Sequence, residues 1–202
     1  MAKNLNISEL PFNHPERELH LYRYKKAREF VYGKILDVAC GTGPIYEIIR
    51  DRQYPFVYKG VDYSRAMIEI AKETFVDSWQ GQWEVQDARD LKEENNSWDC
   101  VLLLHCLDHL DDYRVAIKEA TRVTKKYVCI VLWRSFVNEG THLNTDPAYG
   151  VPEGLKEWQE PSHLQEYSKE TLQEAFDNAG LKIEETAEGE VLNSDASHFN
   201  FL

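Results

Sequence analysis

The stretch Ile35-Leu36-Asp37-Val38-Ala39-Cys40-Gly41-Thr42-Gly43-Pro44 is an apolar strand that runs into a glycine-rich turn and then into a helix with apolar positions Ile45, Ile48 and Ile49. Glycines at 41 and 43 let a ligand approach the backbone more closely than any side chain would permit. Pro44 suits the first helical turn, where its absent N–H costs nothing. Alone, the turn has two readings: a ligand cradle, or a tight strand-to-helix connection.

On either side of this turn, apolar and β-branched runs of strand length recur at Lys34–Cys40, Phe56–Asp62, Gln82–Gln86, Trp98–Leu104 and Tyr127–Trp133. Between several of them the apolar period becomes helical, which is the mark of a parallel sheet. Met67, Ile68, Ala71 and Phe75 share one face of a helix over Ser64–Phe75 that Ser64 is placed to cap, and Ala116, Ile117, Ala120 and Val123 do the same over Asp112–Thr124. VLLLHCL at Val101–Leu107 and YVCIVLW at Tyr127–Trp133 are apolar throughout, as expected of central strands covered on both faces. A last helix spans Ser168–Ala179 and stops at Gly180, and short strands near Leu181–Thr186 and Ser197–Leu202 are expected to close the sheet.

At 202 residues the chain has room for one domain with a substantial core, and a hydrophobic fraction of 43% places it among globular proteins. The formal net charge of -12 repels a phosphate backbone, so nucleic acid is not an expected partner. Lys25, Lys26 and Arg28, and the pair Lys125 and Lys126, read as solvated faces of helix and turn. Cys40, Cys100, Cys106 and Cys129 lie in apolar surroundings with no C-x-x-C pair, and read as buried free thiols in a reducing compartment. The first residues, MAKNLNISEL, lack a basic region followed by an apolar one, and no apolar run spans a bilayer. The expected location is cytoplasmic, with no membrane association.

Acidic residues raise the odds of a ligand at the turn. Asp62 ends the second strand in GVDYS, near the spacing from the turn at which a carboxylate reaches a ribose diol. Asp87 ends the third strand in QDARDL, where it is placed either to accept from the exocyclic amine of adenine or to form an Asx turn. Pyrophosphate binders also use a glycine turn, but Asp37 inside it disfavours an anion, and the pattern G-x-x-x-x-G-K-[ST] is absent. A cationic sulfonium carrying an ammonium is the better fit.

LDVACGTG, GVDYSRAMIEIAKE, VQDARDL, WDCVLLLHCLDHLDD and the run to YVCIVLW resemble, in order over about Gly33 to Trp133, the successive motifs of the class I S-adenosylmethionine-dependent methyltransferases. The flanking HLYRYKKAREFVYGK and SHLQEYSKETLQEAFDNAGLKIEE are similar to segments of its small-molecule members. The resemblance implies an α/β, Rossmann-like, doubly wound fold with a seven-stranded, mostly parallel sheet, a reversed final strand and helices on both faces. One domain over residues 1–202 is expected: an N-terminal helical lid (1–33), a cofactor-binding core (34–133), an acceptor-site loop (134–167), and the final helix and strands (168–202).

The cofactor implied is S-adenosylmethionine. Its methionine part would lie along Asp37, Ala39, Gly41 and Gly43, its ribose on Asp62, its adenine face on Tyr63 and its adenine edge on Asp87 and the Ala88 backbone. Ala39 stands where many members have glycine, a mild departure. His105 falls near the sulfonium, and Tyr22 and Arg23 are candidates to close over the cofactor carboxylate.

Methyl transfer from a sulfonium is an in-line displacement in which alignment supplies much of the catalysis. An amine or hydroxyl acceptor must still lose a proton, and the candidate bases are His105, His109 and His142, with His163 as a further possibility. For each of them a hydrogen-bonded structural histidine is the plainer reading. His105-Cys106-Leu107-Asp108-His109 has the look of a metal cluster, but no second ligand pair has zinc spacing and no metal is expected. Trp133, Phe136, His142, Tyr149, Trp158, His163 and Tyr167 form either an apolar acceptor pocket or a satellite core under a long loop.

The leading expectation is therefore transfer of a methyl group to an O or N atom of a small-molecule acceptor, by a monomer or homodimer. A protein or peptide methyltransferase and a non-catalytic sensor or partner subunit binding the cofactor or its product stand as alternatives, with a nicotinamide-dependent oxidoreductase a distant fourth. HCLD after the fourth strand, in place of an N/D-P-P-[YF] tetrapeptide, argues against methylation of an adenine or a glutamine amide.

Overall fold

The computed structural model describes residues 22, 24–29, 31–51, 55–77, 81–132, 141–143, 165–183, 187–189 and 199–201. Five strands, β1 (Lys34–Val38), β2 (Val57–Asp62), β3 (Gly81–Val85), β4 (Trp98–Leu104) and β5 (Thr124–Val131), pair in parallel in the order β3-β2-β1-β4-β5. The order reverses between β1 and β4, so β1–β2–β3 and β4–β5 run to opposite sides of this point and open a crevice at the carboxyl ends of the strands.

Side-chain alternation along the strands divides the core into two layers. Ile35, Cys100, Leu102 and Leu104 pack with α1 (residues 24–29), α2 (Pro44–Ile49) and α3 (Arg65–Thr74) through Tyr24, Ala27, Ile45, Tyr46, Ile49, Ile68 and Ala71. Leu36, Val38, Val101 and Leu103 face the other way, onto Ala116, Ile117 and Ala120 of α4 (Tyr113–Val123) and Leu172, Ala175 and Phe176 of α5 (Lys169–Ala179). Helices therefore cover both faces, as the apolar runs Cys100–Leu104 of β4 and Val128–Val131 of β5 require.

Local signals fix the helix ends. The Ser64 hydroxyl accepts the Met67 N–H at 3.4 Å at the start of α3, and the buried Ser168 hydroxyl accepts the Thr171 N–H at 3.2 Å at the start of α5. Gly180 ends α5 with φ of 80°, the left-handed conformation that glycine adopts without steric cost.

Beyond shifts of one or two residues at strand ends, the structure differs from the sequence expectation at β5, in the long loop and after α5. β5 starts at Thr124, directly after α4 and before Tyr127, because the Thr124 hydroxyl donates to the Tyr127 carbonyl and the Ser97 N–H donates to the Val123 carbonyl. Lys125 and Lys126 are thus strand residues, with the Lys126 ammonium 4.6 Å from the Tyr32 ring centre. The long loop contains a short antiparallel pair, β6 (Thr141–Leu143) with β7 (Gln165–Tyr167), that periodicity did not show. No strand occupies 181–183; β8 is at Ala187–Gly189 and pairs antiparallel with β9 (Phe199–Phe201), which meets β5 at Val131↔Phe201.

Candidate active site

Parallel register brings the ends of four strands to one edge. Val38 pairs with both Val61 and Leu103, and Asp62 pairs with Val85. Just beyond, the Cys40 N–H donates to the Val61 carbonyl at 3.0 Å, the Gln86 N–H to the Asp62 carbonyl at 3.1 Å and the His105 N–H to the Val131 carbonyl at 2.8 Å. The glycine turn, Asp62, Tyr63, Asp87, Ala88 and His105 therefore share the crevice side of the sheet.

Backbone strain concentrates here. Ala39, Gly41 and Gly43 all have positive φ, at 59°, 54° and 84°, and His105 ends β4 at 54°. A left-handed alanine or histidine costs about 1–2 kcal/mol relative to the usual regions, and such residues cluster where a site dictates the backbone path. This gives a physical account of Ala39: the position favours glycine because of its φ.

The two turn glycines do different work. A Cβ on Gly41 would meet nothing within 4 Å, so its backbone borders open space. A Cβ on Gly43 would lie 2.4 Å from the Trp83 ring and 2.8 Å from Phe75, so Gly43 is required by the aromatic floor under the turn. Gly60, outside the turn, is likewise a packing glycine: its Cβ would come within 2.7 Å of Trp83 and 2.8 Å of the Cys40 sulfur.

Asp62 shapes the turn it faces. Its Oδ2 accepts the Gly41 N–H and its Oδ1 the Ser64 N–H, both at 2.8 Å. Burial raises its pKa, and the two N–H donors pull against that rise. A carboxylate has about four acceptor positions, so one remains on each oxygen, enough for a vicinal diol. Tyr63 follows, 76% exposed and available to a flat ligand.

Asp37 is not at the surface of the crevice but beneath it. It is 2% exposed and accepts the Tyr58 hydroxyl at 2.6 Å. Burial drives its pKa to about 7, with the Tyr58 hydrogen bond opposing and the nearby Asp62 charge adding to the rise. In the unfolded chain the group titrates near 3.8, so between these values the folded state holds the extra proton and stability falls as pH rises. The cost is complete above about pH 7 and amounts to a few kcal/mol. Asp37→Asn is accordingly expected to flatten the decline in stability between about pH 4 and pH 7, read as denaturation midpoints. An undiminished slope would assign the decline to other groups.

Asp87 forms the Asx turn that its sequence allowed: its Oδ1 accepts the Arg89 N–H at 2.8 Å. The Arg89 side chain binds the same carboxylate through Nε at 3.0 Å and NH2 at 2.8 Å, and reaches Asp111 through NH1 at 2.6 Å. The guanidinium holds Asp87 below the usual carboxylate range. Ala88 is buried against the α4 and α5 layer, so its backbone alone can face a ligand. Behind it the Gln86 amide donates to Glu93 at 3.0 Å and accepts the Lys92 N–H at 3.0 Å, fixing the loop.

His105 is half-buried, with the Tyr24 ring edge-on at 6.0 Å, which brings α1 to the mouth of β4. His109 ends the short 3-10 turn Leu107–His109 with an exposed face, yet crowding by neighbouring protein lowers its pKa, so its imidazole is neutral at neutral pH. Between them Asp108 is 4% exposed, a carboxylate that sequence reading considered only as a metal ligand. Burial raises the Cys106 thiol, and the charges of Asp62, Asp108, Asp37 and Asp87 raise it further. Among the described residues no group of three or more His, Cys, Asp or Glu is arranged to hold a metal ion.

His142 lies on β6, where its backbone pairs with Glu166; its side chain is outside the described residues, as are Arg23, Trp133, Phe136, Tyr149, Trp158 and His163. Tyr22 is 39% exposed, and Tyr167 is buried edge-on against Tyr113 at 4.7 Å. Tyr58 and Arg89 were not picked out in the sequence. Arg89 had a local signal, since a cation two residues past an Asx-turn aspartate folds back onto it, whereas Tyr58 is visible only through β1–β2 register.

Comparison with known proteins decides the family. The sequence model of a family described as "Methyltransferase domain" matches residues 12–186. This chain belongs to the methyltransferase-domain family. Ubiquinone/menaquinone biosynthesis C-methyltransferase UbiE of Desulfotalea psychrophila is 37% identical over 103 residues, 48% of this chain and 41% of that protein. This methyltransferase-domain chain thus spans less than half the length of the curated relative it matches. The structure of a SAM-dependent methyltransferase from Methanosarcina mazei superposes with a TM-score of 0.65 at 18% identity, over 87% of this chain and 93% of that one. A SAM-dependent methyltransferase of Leishmania major gives 0.71 at 14% identity, over 92% and 72%. The Rossmann-like methyltransferase fold is thereby shown. Among the described residues no helix is long and apolar enough to cross a membrane.

Proposed function

We propose that this protein transfers the methyl group of S-adenosylmethionine to a small-molecule acceptor. The observation that carries the reading is the open space at Gly41 beside a carboxylate, Asp62, that keeps one acceptor position on each oxygen. That combination suits a ribose diol lying against bare backbone. When bound, the cofactor supplies a sulfonium-activated methyl group as the electrophile.

The chain's own residues do the rest. Gly41 and left-handed Ala39 present backbone to the methionine portion, with Asp37 buried beneath them at the same end of the cofactor. Asp62 takes the ribose hydroxyls, Tyr63 flanks the base, and Asp87 with the Ala88 backbone reads its edge. Tyr22 and Arg23 close over the cofactor carboxylate. His105 and His109 stand at the mouth of β4, where a neutral imidazole removes the proton that an oxygen or nitrogen acceptor must lose, and His142 is the candidate from the acceptor-site segment 134–167. The lid is 1–33 and the cofactor core 34–133, with the final helix and strands (168–202) completing a single domain. β8 and β9 would extend the sheet to seven strands, with β9 reversed.

A carbon acceptor is the second reading, and the relative named as a C-methyltransferase is what favours it. Incubation with S-adenosylmethionine and a metabolite extract is expected to yield S-adenosylhomocysteine together with a new product heavier by one methyl group. Tight cofactor binding without acceptor-dependent turnover would instead make the protein a sensor or a partner subunit.

A further inference from the structure

Arg89 carries more of the base site than its place in the sequence suggests. A carboxylate offers about four acceptor positions. Arg89 fills three of those on Asp87: its N–H and Nε both bind Oδ1, and NH2 binds Oδ2. One position remains, on Oδ2. The same guanidinium is tied at its far end to Asp111, in the segment between the 3-10 turn and α4, so it bridges the loop after β3 to the loop after β4. Asp87 itself is pinned from the backbone side, since the Asp90 N–H donates to its carbonyl at 3.0 Å.

We propose that Arg89 is a positioning residue for base recognition: by anchoring Asp87 with three hydrogen bonds, it leaves one outward acceptor that takes an N–H of a 6-aminopurine and rejects a 6-oxopurine. This rests on the reading above that Asp87 faces the adenine edge. An unanchored aspartate on a part-exposed loop avoids a ligand carbonyl by rotating away and solvating both oxygens. The anchored one cannot turn without breaking charge-assisted hydrogen bonds to a planar fork, so a carbonyl set against it meets a fixed acceptor. Discrimination then depends on the anchor as well as on the carboxylate. Lysine cannot reproduce it, because a point charge does not fix the carboxylate plane.

The test is calorimetric binding of S-adenosylhomocysteine and of its 6-oxo counterpart, S-inosylhomocysteine, to the full chain and to Arg89→Gln, Arg89→Lys and Asp87→Asn. The wild type is expected to favour the amino compound by about tenfold or more, given that a site built to bond one polar group rejects its mismatch. Both Arg89 variants are expected to bring the ratio down at least about threefold, a change that a merely structural loss, weakening both ligands alike, would not produce. If Asp87→Asn lowers the ratio while both Arg89 variants keep it, Arg89 is not the anchor and the proposal falls with the base-site reading intact. If the wild type binds neither compound, the cofactor reading fails and takes the proposal with it.

Discussion

Asp62→Ala is expected to weaken S-adenosylmethionine binding by about 3 kcal/mol, roughly a hundredfold, because hydrogen bonds to a charged acceptor are worth about 1.5–3 kcal/mol each and two hydroxyls lose theirs together. The loss has a second source in the protein itself. Without the carboxylate, the Gly41 N–H loses its acceptor at 2.8 Å and the left-handed turn loses the bond that aims it. Asp62→Asn separates the two effects, since one amide oxygen can accept from Gly41 or from Ser64 but its NH2 opposes the other N–H. Its affinity is expected to fall between wild type and Asp62→Ala, by calorimetry with the cofactor and with S-adenosylhomocysteine. Unaltered affinity in Asp62→Ala would remove the residue from the site.

Gly43→Ala is expected to be the most destabilising small substitution at the turn, while Gly41→Ala leaves the fold nearly intact. At Gly43 the new methyl would sit 2.4 Å from Trp83 and 2.8 Å from Phe75, two rings stacked at 5.3 Å with 12° between their planes. Neither ring can yield, because Tyr46 packs edge-on against both at 4.9 Å and 5.5 Å. Overpacking of about 1–3 kcal/mol adds to about 1–2 kcal/mol for a left-handed alanine at φ of 84°. The sum, about 3–4 kcal/mol, corresponds to a fall in melting temperature on the order of 10 °C for a chain of this size. Gly41→Ala carries only the backbone cost, and its methyl enters the open space at the turn, so it should bind cofactor poorly while melting within a few degrees of wild type. Equal melting of the two variants would refute the division of labour between the glycines.

Particular residues show what was legible in the sequence. β4 was read to the residue, Trp98–Leu104, because a central strand buried on both faces is almost wholly apolar, Asp99 at its entrance excepted. Ser64 and Gly180 marked their helix ends because capping is a local interaction. β5 was misjudged at its start because Lys125 and Lys126 read as a turn, whereas the deciding bonds, from Ser97 to Val123 and from Thr124 to Tyr127, are tertiary or depend on strand geometry. At the site, the acids at strand ends were visible from spacing, but their states were not. Asp37 was expected to line the ligand, and only the parallel register of β1 with β2 sets it under the turn against Tyr58. Gly43 and Gly41 are indistinguishable by motif. Their roles separate once Trp83, forty residues downstream in sequence, is folded beneath one of them.

The aromatic floor has a consequence for how a ligand arrives. A binding loop that stands on the hydrophobic core, with Trp83 and Phe75 wedged against Gly43, has already paid its ordering entropy during folding. Ligand capture at this turn should therefore resemble docking onto a finished surface, and heat that melts the floor should abolish capture at the same temperature.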